Sequence, residues 1–336
     1  YGLVGSEMCI RDRGYSQGGY VTMATTRYLE TLKEPVTAAL PISGPYAMEA
    51  FGDVVFGGKV MLGATFFAPL MARNYQEQYG NIYAKPSDMF APANADEIPS
   101  LLPSASTTEE LISSGKLPAS AMFQKAPTGN STLDALSPSD PAFSFGFDTT
   151  HYLVKNDYRL GYLADAQKNI DWAVPYLQGY TNYSPVPATL PEHPLRKALK
   201  ANDLRGYLPT MPVIMCGGNQ DPMVFFDVNS SLMKTLWDTD TNKTSATKLG
   251  IIDIDVTNRA TRQKPVYQTL GFDTVNNNSI QSQSEKMQAG FASKVQNIAA
   301  IAAANGGNPS QAVAMQYHGL VTPYCMGVAQ TLFSQF

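Results

Sequence analysis

Apolar positions in this chain follow two rhythms, and the order in which they alternate predicts an architecture. Val21, Ala24, Thr25, Tyr28, Leu29 and Leu32 return at spacings of three and four residues, which predicts a helix over 18–32 with one apolar stripe, closed by Pro35. Residues 36–42 (VTAALPI) form a short apolar run suited to a buried strand, and Ser43-Gly44-Pro45 supplies the turn after it. With a strand stub ahead of the helix, this start reads as a βαβ unit. The same signals return near the other end. Residues 212–216 (PVIMC) read as a strand, Gly217-Gly218 as a turn, and Asp221-Pro222 as the opening of an apolar helix. Residues 249–256 predict a further strand, 280–305 a helix, 312–317 an extended segment, and Tyr324, Val328 and Leu332 a last amphipathic helix.

Between these regions, from about 51 to 207, prolines, tyrosines and serines become frequent. Possible helices at 66–79, 108–114 and 160–177 are joined by irregular stretches. The expected fold class is therefore α/β: a mostly parallel sheet flanked by helices, over 14–60 and 206–336, with a large mainly helical cap insertion at 61–205. A poorly ordered loop region is the alternative to a cap. A second insertion is expected near 238–278.

Composition narrows the function classes. The chain has 336 residues, 44% hydrophobic and 15% charged, enough for a sizeable core. A net charge of −4 leaves no basic stripe for phosphates, which argues against a nucleic-acid partner. No apolar run approaches the roughly 18 residues of a spanning helix, so no integral membrane segment is expected. Three cysteines without a CxxC pair and three histidines without an HExxH pair argue against a zinc or histidine-rich metal site. Any mechanism that needs a histidine must choose among His151, His193 and His318.

Gly14-Tyr15-Ser16-Gln17-Gly18 fits the pattern GxSxG. A serine hydroxyl is a poor nucleophile until a base takes its proton. A sharp strand-to-helix elbow would project Ser16 into a cleft, its glycines permitting the turn and close strand–helix packing. The backbone N–H of Gln17, at the helix N-terminus, would then face a developing oxyanion. A glycine-rich turn without chemistry is the plainer alternative.

The residues before this motif fit it poorly. A strand covered on both faces should be apolar, yet Ile10-Arg11-Asp12-Arg13 brings three charges, each costly to bury. Residues 4–13 (VGSEMCIRDR) also resemble translated adapter or vector sequence. A non-native leader is therefore expected over 1–13, with the first strands, one oxyanion donor and any export signal belonging upstream of Gly14.

GYSQGG, with the downstream CGGNQDP and YHG, resembles the bacterial and fungal secretory-lipase-like branch of the α/β-hydrolases, over most of 14–336. That resemblance implies ester hydrolysis through a Ser–Asp–His triad in that chain order. It points to Asp221, which follows a strand and a glycine turn, although Asp before Pro is also an ordinary helix N-cap. Asp227 is the second choice. It points to His318 as base, because His151 and His193 precede Asp221 and fall in the expected cap. If Asp221 and His318 meet, Cys216 and Cys325 could reach disulfide distance, which would favour a secreted or periplasmic protein. The implied substrate is a carboxylic ester or lipid with an apolar acyl or aryl part, and the reaction needs no metal or organic cofactor. The same triad would serve a peptidase or acyltransferase, and a chain lacking its upstream loop would be an inactive fragment.

Overall fold

The computed structural model describes residues 10–138, 145–174, 186–242, 248–256, 267–270 and 279–335. In chain order it builds β1 (Ile10–Tyr15), α1 (Gln17–Thr31), β2 (Val36–Ile42), α2 (Met48–Phe56), α3 (Ala64–Tyr79), α4 (Asn156–Lys168), α5 (Pro194–Ala201), β3 (Val213–Gly217), α6 (Leu232–Thr239), β4 (Leu249–Asp253), β5 (Tyr267–Leu270), α7 (Ser279–Ala304) and α8 (Pro309–Phe333). The chain divides into two compact units, Tyr1–Ala47 with Leu204–Phe336, and Met48–Asp203.

The first unit is a five-stranded sheet in the order β1-β2-β3-β4-β5. The first four strands run parallel, and β5 is antiparallel to β4. Successive side chains of a strand point to opposite faces, so a sheet covered on both sides needs apolar residues at every position. Leu40, Ile42, Ile214, Cys216 and Ile252 pack with Ile280 and Phe291 of α7 and Val321, Cys325 and Val328 of α8. The intervening Ala39, Val213 and Met215 pack, with Leu249, against Met23 of α1 and Met233 and Trp237 of α6. The expected α/β class, a parallel sheet with flanking helices, is the one observed.

Residues 10–13, read as leader because a doubly covered strand would bury their charges, form β1, the edge strand among the described residues, with Arg11 and Arg13 exposed. Three local expectations are corrected. The apolar stripe of α1 is not its packing face: Val21, Tyr28 and Leu32 are 51%, 62% and 52% exposed, while Gly19, Thr22, Met23 and Thr26 are buried. A helix lying against β1 and β2 this closely turns its small residues inward, and periodicity alone does not say which face that is. Residues 312–317 are not extended but lie within α8. The overlooked start signal is Asn308-Pro309, in which the Asn308 side chain accepts from Gln311 N–H at 3.1 Å and Pro309 takes the first helical position. Finally, Asp221 opens no helix; a π-helical turn at Asp227–Ser231 leads into α6. Residues 1–9, with Cys9 and most of the expected leader, lie outside the described residues, as do 175–185 at the end of the expected helix 160–177 and much of 238–278.

The second unit is mainly helical, with a two-stranded parallel ribbon of Phe123–Gln124 and Phe147–Asp148. A buried ion cluster sits in it. Arg196 of α5 is fully buried and donates to Asp53 of α2 (2.9 and 2.8 Å) and Asp165 of α4 (3.0 Å), with Glu49 at 3.6 Å. The Tyr162 hydroxyl donates to Asp53 at 2.7 Å. Three helices are thus tied to one guanidinium. Arg196→Met is expected to lower the unfolding free energy by about 3–5 kcal/mol, because it strands buried carboxylates rather than merely deleting an attraction. Urea denaturation measures this, and a loss below about 1 kcal/mol would contradict it.

Candidate active site

The site is assembled entirely within the first unit, at the edge where the parallel strands end. Ser16 is the residue between β1 and α1. It holds φ 59° and ψ −123°, a conformation costly for a residue with a side chain. Two features maintain it: Ser16 N–H donates to Ile42 O at 2.9 Å, and Ser16 O accepts from Gly19 N–H at 2.9 Å. Gly14 is required beneath it, since a Cβ there would run into the Gly18 carbonyl and lie 2.8 Å from Thr22 Oγ1. Gly18 itself has open space around it, so the second glycine of the motif matters through its backbone. Gln17 heads α1, and its N–H belongs to the first turn, where helix donors lack intrahelical acceptors.

Asp221 lies on the loop after β3 and is 3% exposed; His318 lies in α8 and is 7% exposed. The His318 Nδ1 is 2.6 Å from Asp221 Oδ2, and its Nε2 is 2.8 Å from Ser16 Oγ. An ionised carboxylate only accepts hydrogen bonds, so Nδ1 carries the proton and Nε2 is left to accept from the serine hydroxyl. Asp221 also has a structural task. Its other oxygen, Oδ1, accepts from Met223 N–H (2.9 Å) and Val224 N–H (3.1 Å). Asp221 thus braces its own loop through one oxygen and meets His318 through the other.

The structure brings Ser16, Asp221 and His318 together, with Gln17 adjoining. Asp227 begins the π-helical turn, and the carboxylate on His318 Nδ1 is that of Asp221. His151 and His193 belong to the second unit. His151 Nδ1 bonds Thr150 Oγ1, and His193 packs edge-on to Tyr158, with burial holding its imidazole down at about 4. A contact the sequence reading missed is Tyr15, whose ring lies 4.7 Å from that of His318. Burial, reinforced by the Asp221 carboxylate, pushes the Tyr15 phenol up to about 12, so it stays protonated. The available signal was an aromatic immediately before the motif serine.

Cys216 and Cys325 form a disulfide with Cα atoms 5.8 Å apart, tying β3 to α8. Among the described residues no group of three or more His, Cys, Asp or Glu side chains gathers as a metal would require, and no helix is long and apolar enough to cross a membrane.

No protein-family model matches this sequence, and a comparison with curated proteins returns no match. Solved structures do match. A mutant of the rice cell wall degrading esterase LipA from Xanthomonas oryzae superposes with a TM-score of 0.50 at 19% identity, over 75% of this chain and 52% of that one. The unmutated LipA gives 0.49 at 20% identity, over 74% and 52%. A Legionella pneumophila protein described as a hydrolase gives 0.45 at 17% identity, over 72% and 49%. The first of these likenesses concerns fold: this chain shares the α/β architecture of that esterase and spans about half of its length.

Proposed function

We propose that this chain is a serine hydrolase acting on carboxylic esters, with Ser16 as nucleophile, His318 as general base and Asp221 as the acid that orients it. The observation that carries this reading is the hydrogen-bonded line from Ser16 Oγ through His318 to Asp221, ending on a serine held in a strained elbow. As Ser16 Oγ attacks the ester carbonyl, its proton passes to His318 Nε2, and Asp221 stabilises the imidazolium. The carbonyl oxygen becomes an oxyanion facing Gln17 N–H and the α1 N-terminus. Collapse expels the alcohol, which takes the proton from His318. Water then attacks the acyl-enzyme by the same route, returning the serine and releasing the acid. The Cys216–Cys325 bridge supports a secreted or periplasmic setting, where disulfides persist.

The test is covalent labelling. A fluorophosphonate should modify the native chain at Ser16, mapped by peptide mass spectrometry, and a chain denatured before exposure to the reagent should not be modified. p-Nitrophenyl butyrate should be hydrolysed in preference to aminoacyl anilides. Labelling elsewhere than Ser16 refutes the nucleophile, and a preference for anilides refutes the ester assignment.

A further inference from the structure

A second Asp–side-chain pair lies directly behind the Asp221–His318 pair. Tyr317, the residue before His318 on α8, is 2% exposed, and its hydroxyl donates to Asp255 Oδ2 at 2.6 Å. The Tyr317 hydroxyl oxygen in turn accepts from the backbone N–H of Gln220, the residue before Asp221, at 3.1 Å. The hydroxyl end of the Tyr317 ring abuts the acid loop: a Cβ on Gly218 would fall 2.6, 2.8 and 3.0 Å from Tyr317 Oη, Cε1 and Cζ. Glycine at 218 is what lets the ring approach the backbone so closely. Between these contacts, Asn219 Nδ2 donates to Asp253 Oδ2 (2.8 Å) and Asp255 O (2.7 Å). The three residues leading to Asp221 are thus each held, two of them by Tyr317.

We propose that Tyr317 and Asp255 are positioning residues, which set the separation between the acid loop and the base helix and so fix the Asp221–His318 hydrogen bond. The inference deepens the serine-hydrolase reading and rests on it for its catalytic meaning. One side chain touches the loop of the acid while its own backbone adjoins the base. Asp255, two residues beyond β4, gives that hydroxyl a fixed acceptor. Burial and the Asp255 carboxylate both drive the phenol ionisation far upward, so Tyr317 remains a donor at all working pH values. Without the hydroxyl, Gln220 N–H and the Asp255 carboxylate each lose a buried partner, and the loop is free to relax away from α8. A displacement of about 1 Å in such a constellation costs on the order of 100-fold in rate.

Two readouts separate this inference from the reading beneath it. The first needs no turnover. A proton between His318 Nδ1 and a carboxylate gives a far-downfield proton NMR signal, identified by its loss in His318→Ala. Tyr317→Phe should remove it or move it upfield, whereas Asp255→Asn, which keeps an acceptor for the hydroxyl, should restore most of it. The second is kinetic: Tyr317→Phe should lower kcat and the rate of Ser16 phosphonylation about 10- to 100-fold, with KM within about twofold and Asp255→Asn largely spared. Should Tyr317→Phe lose its circular dichroism signature, Asp255→Ala carries the same expectation without altering the ring. An unchanged downfield signal in a folded Tyr317→Phe, or its absence from the parent, overturns the positioning role. A parent that keeps the signal but is not labelled at Ser16 overturns the hydrolase reading instead.

Discussion

Replacing either Ser16 or His318 with alanine is expected to lower ester turnover by about 10^4- to 10^6-fold, and replacing both is expected to cost no more than either alone. The reason lies in the geometry. In the proposed mechanism Ser16 Oγ reacts only as His318 Nε2, 2.8 Å away, removes its proton, so the loss of one member would already idle the other. Asp221→Ala should cost less, about 10^4-fold, because the imidazole keeps its reach to Ser16 and loses only its tautomer and its counter-charge. That variant should also lose stability, since Asp221 Oδ1 caps Met223 and Val224. KM should change little in all of them, because none of the three side chains is placed to grip the remote part of an ester. The measurement is kcat and KM on a p-nitrophenyl ester for the parent, the three single variants and the Ser16→Ala/His318→Ala double. If the double variant falls by the product of the two single effects, the residues act independently, and the proton-transfer line through His318 is not the mechanism.

The fold class and the members of the candidate site were legible in the sequence, while local packing was less so. Ser16 was legible because its motif is local: two glycines, a serine, and a helix directly after. His318 stood out because only three histidines exist and the resemblance implies a base after the acid, whereas the other two precede Asp221. β2 matches its predicted bounds because an apolar run between Pro35 and a Ser-Gly-Pro turn has few other outcomes. What failed was whatever depends on three-dimensional partners. The stripe Val21–Tyr28–Leu32 is a genuine period, but the face of α1 that meets the strands is chosen by how near the backbones must come, and Gly19, Thr22 and Thr26 allow the nearer approach. The segment 312–317, read as extended, is helical because it continues a helix whose start signal, the Asn308 cap, lies upstream of it. The Tyr317–Asp255 bond spans 62 residues, and nothing in the spacing of a tyrosine and an aspartate that far apart marks them as a pair.

Removing the Cys216–Cys325 bridge by a double alanine substitution is expected to lower Tm by about 10 °C and to lower esterase activity in the remaining folded protein. The bridge closes a loop of 109 residues, for which chain entropy alone gives about 4–5 kcal/mol of stabilisation. Both sulfurs lie in the core between the sheet and α7–α8, so the alanines also leave a void there. The effect on activity follows from position. Cys216 is five residues before Asp221 on the same strand exit, and Cys325 is seven residues, about two helical turns, after His318 on the same helix face. The covalent link and the Tyr317–Gln220 contact therefore fasten the same two elements from two points, the end of β3 and the loop beyond it. With only one of them left, the acid and base should still meet but with greater freedom, so kcat should drop about tenfold, a smaller loss than at Tyr317, whose contact lies nearer the reacting pair. Full burial adds a kinetic expectation: dithiothreitol should reduce the bridge slowly in the native chain and rapidly in 6 M urea, followed by thiol counting. Rapid reduction under native conditions, or a double variant that matches the parent in both Tm and kcat, would show that β3 and α8 are held together without it.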